Sequence, residues 1–591
     1  MGVNRCWNNL LPKLVQLAYW SNSDHAQRKW SSYWSNKNNY MISKNKNITH
    51  FFLPVISLCI LLFIFFDNNN LWLTTTSLLS TNSSILIKFI KLSYVFVTAI
   101  ISYVSIVLLI FSIDKKLYYT GVIFLLFGVV NTIVAQITGT NISVDTIQIA
   151  VTNIHFYGDF FLSFWKTIAL QLIVFIALIV FINFIKLKNA AIVPTSKGVL
   201  LIFISTVLFN FFYVYKVGER RAPFFGFNLP ITFTKNCVQS RTIKFCKRSE
   251  VDPLTLIHSN SPKIIIFIID ESVTYEALVK NNSLLMRQEA LTAKIQVPHH
   301  LFKAHSSANH SAVSNYILRT GFTESDYPDT DGKTLRAPSI FSYAKTAGYN
   351  VVFYDAQSEN NRLQNLMSPY DLVSIDKFLT SSSSTKRYMR DLVALDEIEK
   401  IINSTKSDKK LFISMVRYGL HFPYTNSIPP DLVKKISEEC QSSDTSFSDE
   451  PVKCKKNQYD IALMFSVDTF MERLFKIISQ KDYALIYTSD HGQDLNSKHK
   501  SPHGSSQDVS ECEISVPIFV AGTVFHDMKS TDFISTHFQI PPTIKKILGY
   551  ENIHNKDAPT LWEDYPSHGK FLRGIFNSND IWFTPSHECV Y

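Results

Sequence analysis

The sequence predicts two structures in one chain: an α-helical membrane domain of five transmembrane helices, then a soluble α/β domain built on a parallel sheet. Three observations carry this reading. Five stretches free of charged side chains crowd into the first 216 of 591 residues. Lys and Arg are spread unevenly over the segments that join them. From residue 261 onward, short β-branched runs alternate with helix-patterned segments, and several of those runs end in a carboxylate. The averages (46% hydrophobic, 18% charged, net charge +10) conceal the division. They do exclude a disordered polyelectrolyte, a collagen-like repeat and a disulfide-dense miniprotein.

The apolar runs cover residues 51–66, 92–113, 117–137, 167–185 and 198–215. A helix needs about 20 apolar residues to cross the hydrocarbon layer, within a working range of about 17–25. The last four runs reach that range; the first is slightly short and needs His50 or neighbouring asparagines at the interface. Cytoplasmic segments carry the excess of Lys and Arg. Residues 1–49 hold seven basic side chains (Arg5, Lys13, Arg28, Lys29, Lys37, Lys44, Lys46) against one acid, Asp24. With that tail inside, Lys115, Lys116, Lys186, Lys188 and Lys197 also fall inside. Residues 138–160 fall outside, with Asp145 and Asp159 and no Lys or Arg; Lys88 and Lys91 run against the trend. Five spans then place everything after residue 216 outside the cytoplasm. A cleavable signal peptide is not expected, because the first apolar run comes late and lacks a small-residue cleavage site.

Four expected regions follow: a cytoplasmic basic tail over 1–49, the membrane domain over 50–216, a connector near the membrane surface over 217–260, and the catalytic domain over 261–591. Half of the tryptophans (Trp7, Trp20, Trp30, Trp34) lie in the tail, which suits an interfacial helix or a partner-binding segment. Cys6 is in the tail and Cys59 in a span, while Cys237, Cys246, Cys440, Cys454, Cys512 and Cys589 lie on the outer side, where disulfides persist. Short loops favour pairing Cys237 with Cys246 and Cys440 with Cys454, leaving Cys512 for Cys589. There is no CxxC pair for a thiolate zinc knuckle.

In the soluble part, KIIIFIID (263–270), YNVVFYD (349–355), LFISMV (411–416), YALIYTSD (483–490) and VPIFVAG (516–522) read as buried parallel strands. Helices are expected over 392–402 and 460–480. In such doubly wound sheets the active groups collect at the carboxyl ends of strands. Asp270 with Glu271, Asp355, and Asp490 all stand there. Asp490-His491 offers a carboxylate and an imidazole, both ligand types for zinc, and Glu271 offers a third donor. Ser311 lies in SSANHSAVSNYILRTGF, a small-residue turn running into a helix, where free N–H groups favour an anion. The bland alternative is that Ser311 only caps the helix. His421 in RYGLHFPY, and His503 twelve residues after His491, follow strands beside Gly or Pro and read as pocket groups for phosphate oxygens or a second metal.

These motifs resemble the bacterial inner-membrane phosphoethanolamine transferases, members of the alkaline phosphatase and sulfatase superfamily that modify lipid A and other envelope glycans. YTSDHGQDL, the HG at His503, DES at 270–272 and LHFPY around His421 carry the resemblance, which extends over nearly the whole chain. It implies an alkaline phosphatase-like (sulfatase-like) soluble domain. It implies zinc on Glu271, Asp490, His491 and Ser311, with one ion held tightly and room for a second. Ser311 takes the place of the nucleophile, and His421 and His503 those of the histidines on the phosphoryl group. Arg362 is the candidate for a basic residue that the family places after the YDAQSEN strand. The implied donor is phosphatidylethanolamine, the acceptor a lipopolysaccharide or other glycan, the intermediate a phosphorylated serine, and the enzyme a monomer. Departures are Ser for the usual Thr, DES for GET, Gln493 for Glu, no cysteines flanking the nucleophile, and an asparagine out of register at Asn153, which takes no role. His537 in THFQ corresponds only loosely to a functional position.

Three rival readings differ at definite points. A sulfatase needs x-Pro-x-Arg after its modified residue, and SAVSN at 311–315 has neither. A phosphoglycerol transferase of the lipoteichoic acid synthase type differs only in headgroup; the spacing from SDHG to HG and the local cysteine pairs favour phosphoethanolamine. An inactive scaffold does not account for every ligand type being kept. No nucleic-acid partner is expected, since no motif supports one.

Overall fold

A computed structural model describes residues 56–59, 84–112, 114–138, 141–143, 146–147, 157–188, 196–217, 226–242, 247–252, 261–440, 451–496, 501–504, 509–528, 533–550, 559–563, 565, 569–575 and 582–591. The basic tail, Asn153 and most of the first apolar run fall outside them. So do the Cys237 and Cys246 side chains, and with them that disulfide. The other four runs coincide with helices α1 (Ile85–Phe111), α2 (Lys115–Thr138), α3 (Tyr157–Lys188) and α4 (Ser196–Val217). By length and composition, Ile85–Phe111, Lys115–Thr138 and Phe161–Phe184 suffice to cross a membrane, and Ser196–Phe212 is a shorter apolar stretch. Many of their large apolar side chains are exposed, as lipid-facing groups would be; Leu162, Ile173 and Leu201 are examples.

The helical domain also buries polar groups, and some of them bond across the bundle. Asn131 of α2 accepts from the Ile142 backbone N–H at 2.9 Å and from Asn228 Nδ2 at 3.2 Å. Asn228 opens α5 (Asn228–Thr242) and also donates to Ile142 O at 2.8 Å. This network ties the segment after α2 to the first helix beyond α4.

The soluble domain is organised by one eight-stranded sheet in the order β4-β3-β5-β1-β6-β7-β2-β8. The strands are β1 (Ile264–Asp270), β2 (His299–His305), β3 (Tyr349–Glu359), β4 (Lys377–Ser381), β5 (Lys410–Val416), β6 (Tyr483–Ser489), β7 (Ser515–Gly522) and β8 (Ser535–Thr536). The two-residue period of a strand explains why β1 is apolar throughout. Ile266 and Ile268 enter one core with Ile413, Met415 and Leu485; Ile265, Phe267 and Ile269 enter the other with Phe412 and Ile486. Both faces are covered, as expected of a central parallel strand.

One strand corrects the sequence reading. The run 516–522, expected to be parallel, forms β7, which pairs antiparallel with both β6 and β2. A parallel neighbour needs a crossover back to the far edge of the sheet. The chain between β6 and β7 has no such helix among its described residues, so β7 starts at the edge where β6 ends and runs back. Because β2 is antiparallel to β7, it runs with β1 and β6, and its end delivers the following residues to the same edge.

The helix expected at 392–402 is α7 (Arg390–Ser404), counting Ser311–Thr320 as α6. The one expected over 460–480 is interrupted: α8 (Val452–Leu463) and α9 (Thr469–Ile478) flank a π turn at Met464–Asp468. Disulfides join Cys440 to Cys454, the pairing that loop length favoured, and Cys512 to Cys589, the pairing that remained.

Candidate active site

Glu271 follows β1, Asp490 and His491 follow β6, and α6 begins at Ser311, six residues beyond the end of β2. Residues after the ends of three parallel-running strands, β1, β6 and β2, therefore meet in one buried cluster. One donor atom from each of Glu271, Asp490 and His491 lies within 4.8 Å of the others. His491 Nε2 is 3.4 Å from Glu271 Oε1 and 3.7 Å from Asp490 Oδ2. Ser311 Oγ lies 3.3 Å from Glu271 Oε2 and 3.2 Å from His491 Nε2. Ser311 is not the helix cap: His310 holds that position in extended backbone, and the Ser311 hydroxyl turns into the cluster.

Close backbone packing makes the cluster possible. Gly419 adopts φ +52°, and a Cβ there would collide with Asp270 Oδ1 and Glu271 N. At Gly492 a Cβ would strike Cys512 O. The loop before Ser311 has no cysteine staple and is held instead by Ser306 N–H on Ile514 O at 2.8 Å and Asn309 Nδ2 on Glu513 Oε2 at 2.8 Å.

The donor set fits a divalent metal on three counts. Asp490 Oδ1 accepts from the Ser272 and His491 backbone N–H groups, while buried Asp490 Oδ2 has no hydrogen-bond partner. His491 Nδ1–H donates to Gly492 O at 2.9 Å, which leaves Nε2 as the ligand nitrogen in the usual arrangement of zinc histidines. The electrostatics call for a cation. Burial and the Glu271 charge push the Asp490 carboxyl well up. Burial works in the same direction on Glu271, but the His491 hydrogen bond and charge outweigh it and hold that carboxyl low. Burial opposes a charge on His491, yet Asp490 and Glu271 keep it above the ordinary imidazole range. Either a proton or a metal on Nε2 meets that demand.

The remaining predicted residues are placed as follows. His503 stacks on His491 with ring centroids 4.3 Å apart, and its Nδ1–H donates to Gln493 Oε1 at 3.0 Å. The Gln493 amide thus orients this ring. His421 Nδ1–H donates to Phe422 O at 2.8 Å. Both rings engage Nδ1 in this way. Arg362 is exposed on the loop after β3, and its carbonyl accepts from Ser358 Oγ at 2.6 Å. Asp355 lies inside β3, which runs on past the expected end at 355; its Oδ1 accepts from the Gln357 and Ser358 backbone N–H groups, and it does not join the cluster.

Sequence reasoning missed Gln357, whose Nε2 donates to Glu271 Oε2 at 2.8 Å and to Arg417 O at 2.9 Å. Only its place two residues beyond Asp355, the expected strand end, hints at this. Arg417 was also missed. Fully buried, it pairs with Asp270 and, at 3.0 Å, with Asp391.

His537 is structural. Its Nδ1 accepts from Ser307 N–H at 3.3 Å, and its Nε2 lies 3.2 Å from Thr488 Oγ1, so it clamps the loop before Ser311 to β6. Burial pulls this imidazole from 6.5 down to about 3. A base whose folded pKa is depressed contributes stability that is fully present above pH 6.5 and is lost as the pH falls toward 3. Thermal melts between about pH 7 and pH 4 are expected to show a loss of about 3 kcal/mol from this group. His537→Asn should flatten that slope; equal slopes in the two proteins would remove His537 as the cause.

The family model described as Sulfatase matches residues 263–550. The matched domain resembles the sulfatases and takes in just under half of the chain. That domain contains all the residues of the cluster. The chain is also similar to the Kdo(2)-lipid A phosphoethanolamine 7''-transferases of Escherichia coli (23% identical over 268 residues) and Salmonella typhimurium (24% identical over 268 residues). Each match takes in 43% of this chain and spans only 44% of the relative's length. Among solved structures, the integral membrane lipooligosaccharide phosphoethanolamine transferase A of Neisseria meningitidis aligns with a TM-score of 0.54 at 12% identity. The alignment covers 82% of this chain and 96% of that one, so the shared fold takes in apolar N-terminal helices as well as the α/β domain.

Proposed function

We propose that the protein is a zinc-dependent phosphoethanolamine transferase of the bacterial inner membrane, with its N-terminus cytoplasmic and its catalytic domain periplasmic. In this reading phosphatidylethanolamine is the donor, and lipid A or another lipopolysaccharide or glycan is the acceptor. The observation that carries it is the Ser311 hydroxyl, half-buried at a helix N-terminus and within 3.3 Å of two groups of a buried acid–imidazole cluster. The names of the sequence relatives support the choice of headgroup and of lipid A. Sidedness is supported by two contacts at one end of the bundle. Ile137 O near the end of α2 accepts from the catalytic domain's Ser501 N–H at 3.1 Å, and Phe164 near the start of α3 packs on Phe422.

Glu271, Asp490 and His491 would hold the zinc. Bound there, the ion supplies the positive charge that favours the Ser311 alkoxide over the hydroxyl. Ser311 Oγ then attacks the phosphorus, the O–P bond to Ser311 forms, and the bond to the diacylglycerol oxygen breaks. That oxygen leaves protonated as diacylglycerol. His421 and His503 meet the phosphoryl oxygens, and the α6 N-terminus adds its dipole. An acceptor oxygen next attacks the phosphoserine, and Ser311 regains its proton.

The decisive assay supplies purified protein with fluorescent phosphatidylethanolamine or phosphatidylglycerol together with lipid A. The expected outcome is release of labelled diacylglycerol from phosphatidylethanolamine and a lipid A product heavier by one phosphoethanolamine. Preferential consumption of phosphatidylglycerol would replace this headgroup with phosphoglycerol.

A further inference from the structure

We propose that the membrane domain positions the two pocket histidines, His421 and His503, through Phe164 acting on Phe422. The helical geometry of α3 breaks at Phe164, where φ is −124° and ψ is 15°. Its neighbours Phe161, Leu162 and Trp165 are 55%, 59% and 40% exposed, as suits a lipid-facing surface, whereas Phe164 is fully buried. The break turns this one ring away from lipid and toward the catalytic domain. It meets Phe422 edge to face, with centroids 6.2 Å apart.

Phe422 in turn touches both histidines. It stacks on His421 at 5.7 Å and sets its edge against His503 at 5.7 Å. Its own carbonyl accepts the Nδ1–H of His421. The turn that carries His503 has a second membrane contact. Ser501 N–H donates to Ile137 O, one of the carbonyls that the end of α2 leaves without a helical partner, and Ser501 Oγ donates to His503 O at 2.7 Å. Glu271, Asp490 and His491 are instead held from within the sheet domain, by Ser272, Gln357 and Gly492. The metal ligands therefore rest on the sheet domain alone, whereas His421 and His503 also lean on the membrane domain, His503 in addition to its packing on His491 and its bond to Gln493. Disturbing the membrane contact should move the second group and leave the first in place.

The kinetic part of this inference rests on the reaction proposed above; the positional part does not. The test uses full-length protein in nanodiscs, as wild type, Phe164→Ala, Phe164→Leu and Phe164→Tyr. Histidine acylation by diethyl pyrocarbonate, mapped by mass spectrometry, is expected to rise at His421 and His503 in Phe164→Ala and to stay unchanged at His491. An unchanged footprint at both pocket histidines overturns the proposal whatever the substrate is. On bis(p-nitrophenyl) phosphate, a soluble diester too small to engage the bilayer, Phe164→Ala should lose about 10- to 100-fold in kcat, with little change in KM or in zinc per chain. Phe164→Tyr, which keeps the ring, should recover most of the rate. A variant that turns over the soluble diester normally and fails only on lipid overturns the proposal and makes Phe164 a lipid contact. Loss of zinc from Phe164→Leu overturns it in favour of a general structural role.

Discussion

Ser311→Ala is expected to lower transfer to background, a fall of about 10³- to 10⁶-fold of the kind seen when a covalent nucleophile is removed. The fold and metal content should survive. The helix cap is His310, so no capping bond is lost, and the hydroxyl's partners Glu271 and His491 keep their contacts with Gln357, Ser272 and Gly492. Ser311→Thr keeps a hydroxyl at the same position and should retain measurable activity. The covalent step has its own readout. Wild-type protein incubated with phosphatidylethanolamine and no acceptor should carry a phosphoethanolamine increment on the peptide containing Ser311, absent from Ser311→Ala. Full activity in Ser311→Ala, with zinc bound, would refute the nucleophile assignment.

Arg417→Met is expected to be among the most destabilising single substitutions in the catalytic domain, at about 3–5 kcal/mol, the usual cost of leaving a buried charge without its partner. Arg417 is fully buried at the end of β5. Its guanidinium pairs with Asp270 and Asp391, donates to Ser466 Oγ at 2.7 Å and to Ser466 O at 3.0 Å, and lies 4.0 Å over the Phe470 ring. The π turn between α8 and α9 contains Ser466, and places both of its oxygens on the arginine. Burial already pushes the Asp270 carboxyl up to about 6, with Arg417 opposing that rise and Asp391 adding to it. Without Arg417, two buried acids face each other directly behind Glu271. Adding Asp270→Asn to Arg417→Met should therefore restore part of the loss, because Asp391 keeps its bonds to the Tyr418 and Gly419 N–H groups at 2.7 and 3.1 Å. Denaturant melts of the single and double variants check this. A double variant less stable than Arg417→Met alone would contradict it.

The residues that were legible in the sequence share a physical property: their signal is local. Glu271, Asp490 and His491 stand directly after runs apolar enough to be buried strands, and such strands present their carboxyl ends to a common edge. Ser311 could be placed because small residues preceding a helix expose backbone N–H groups. Gln357 and Arg417 carry no comparable mark. Each acts across the sheet on a residue far away in sequence, and a glutamine after an expected strand end or an arginine before Tyr-Gly reads as ordinary surface chemistry. β2, with the sequence HHLFKAH, was not recognised as a strand, since its Lys303 is held by Glu276 and Glu511 rather than by the alternation that marks a half-buried strand.

By itself the sequence determined which apolar runs become α1 to α4 and which strand ends carry the acids and the imidazole. Those outcomes follow from hydropathy and from the periods of helix and strand, which operate over a few turns of chain. Only the tertiary structure decided that β7 runs backward, that α8 and α9 part at a π turn to serve Arg417, and that Phe164 turns inward beneath His421 and His503. Each of these depends on a partner brought close by folding, and residues 164 and 422 have no relation along the chain that would announce their contact.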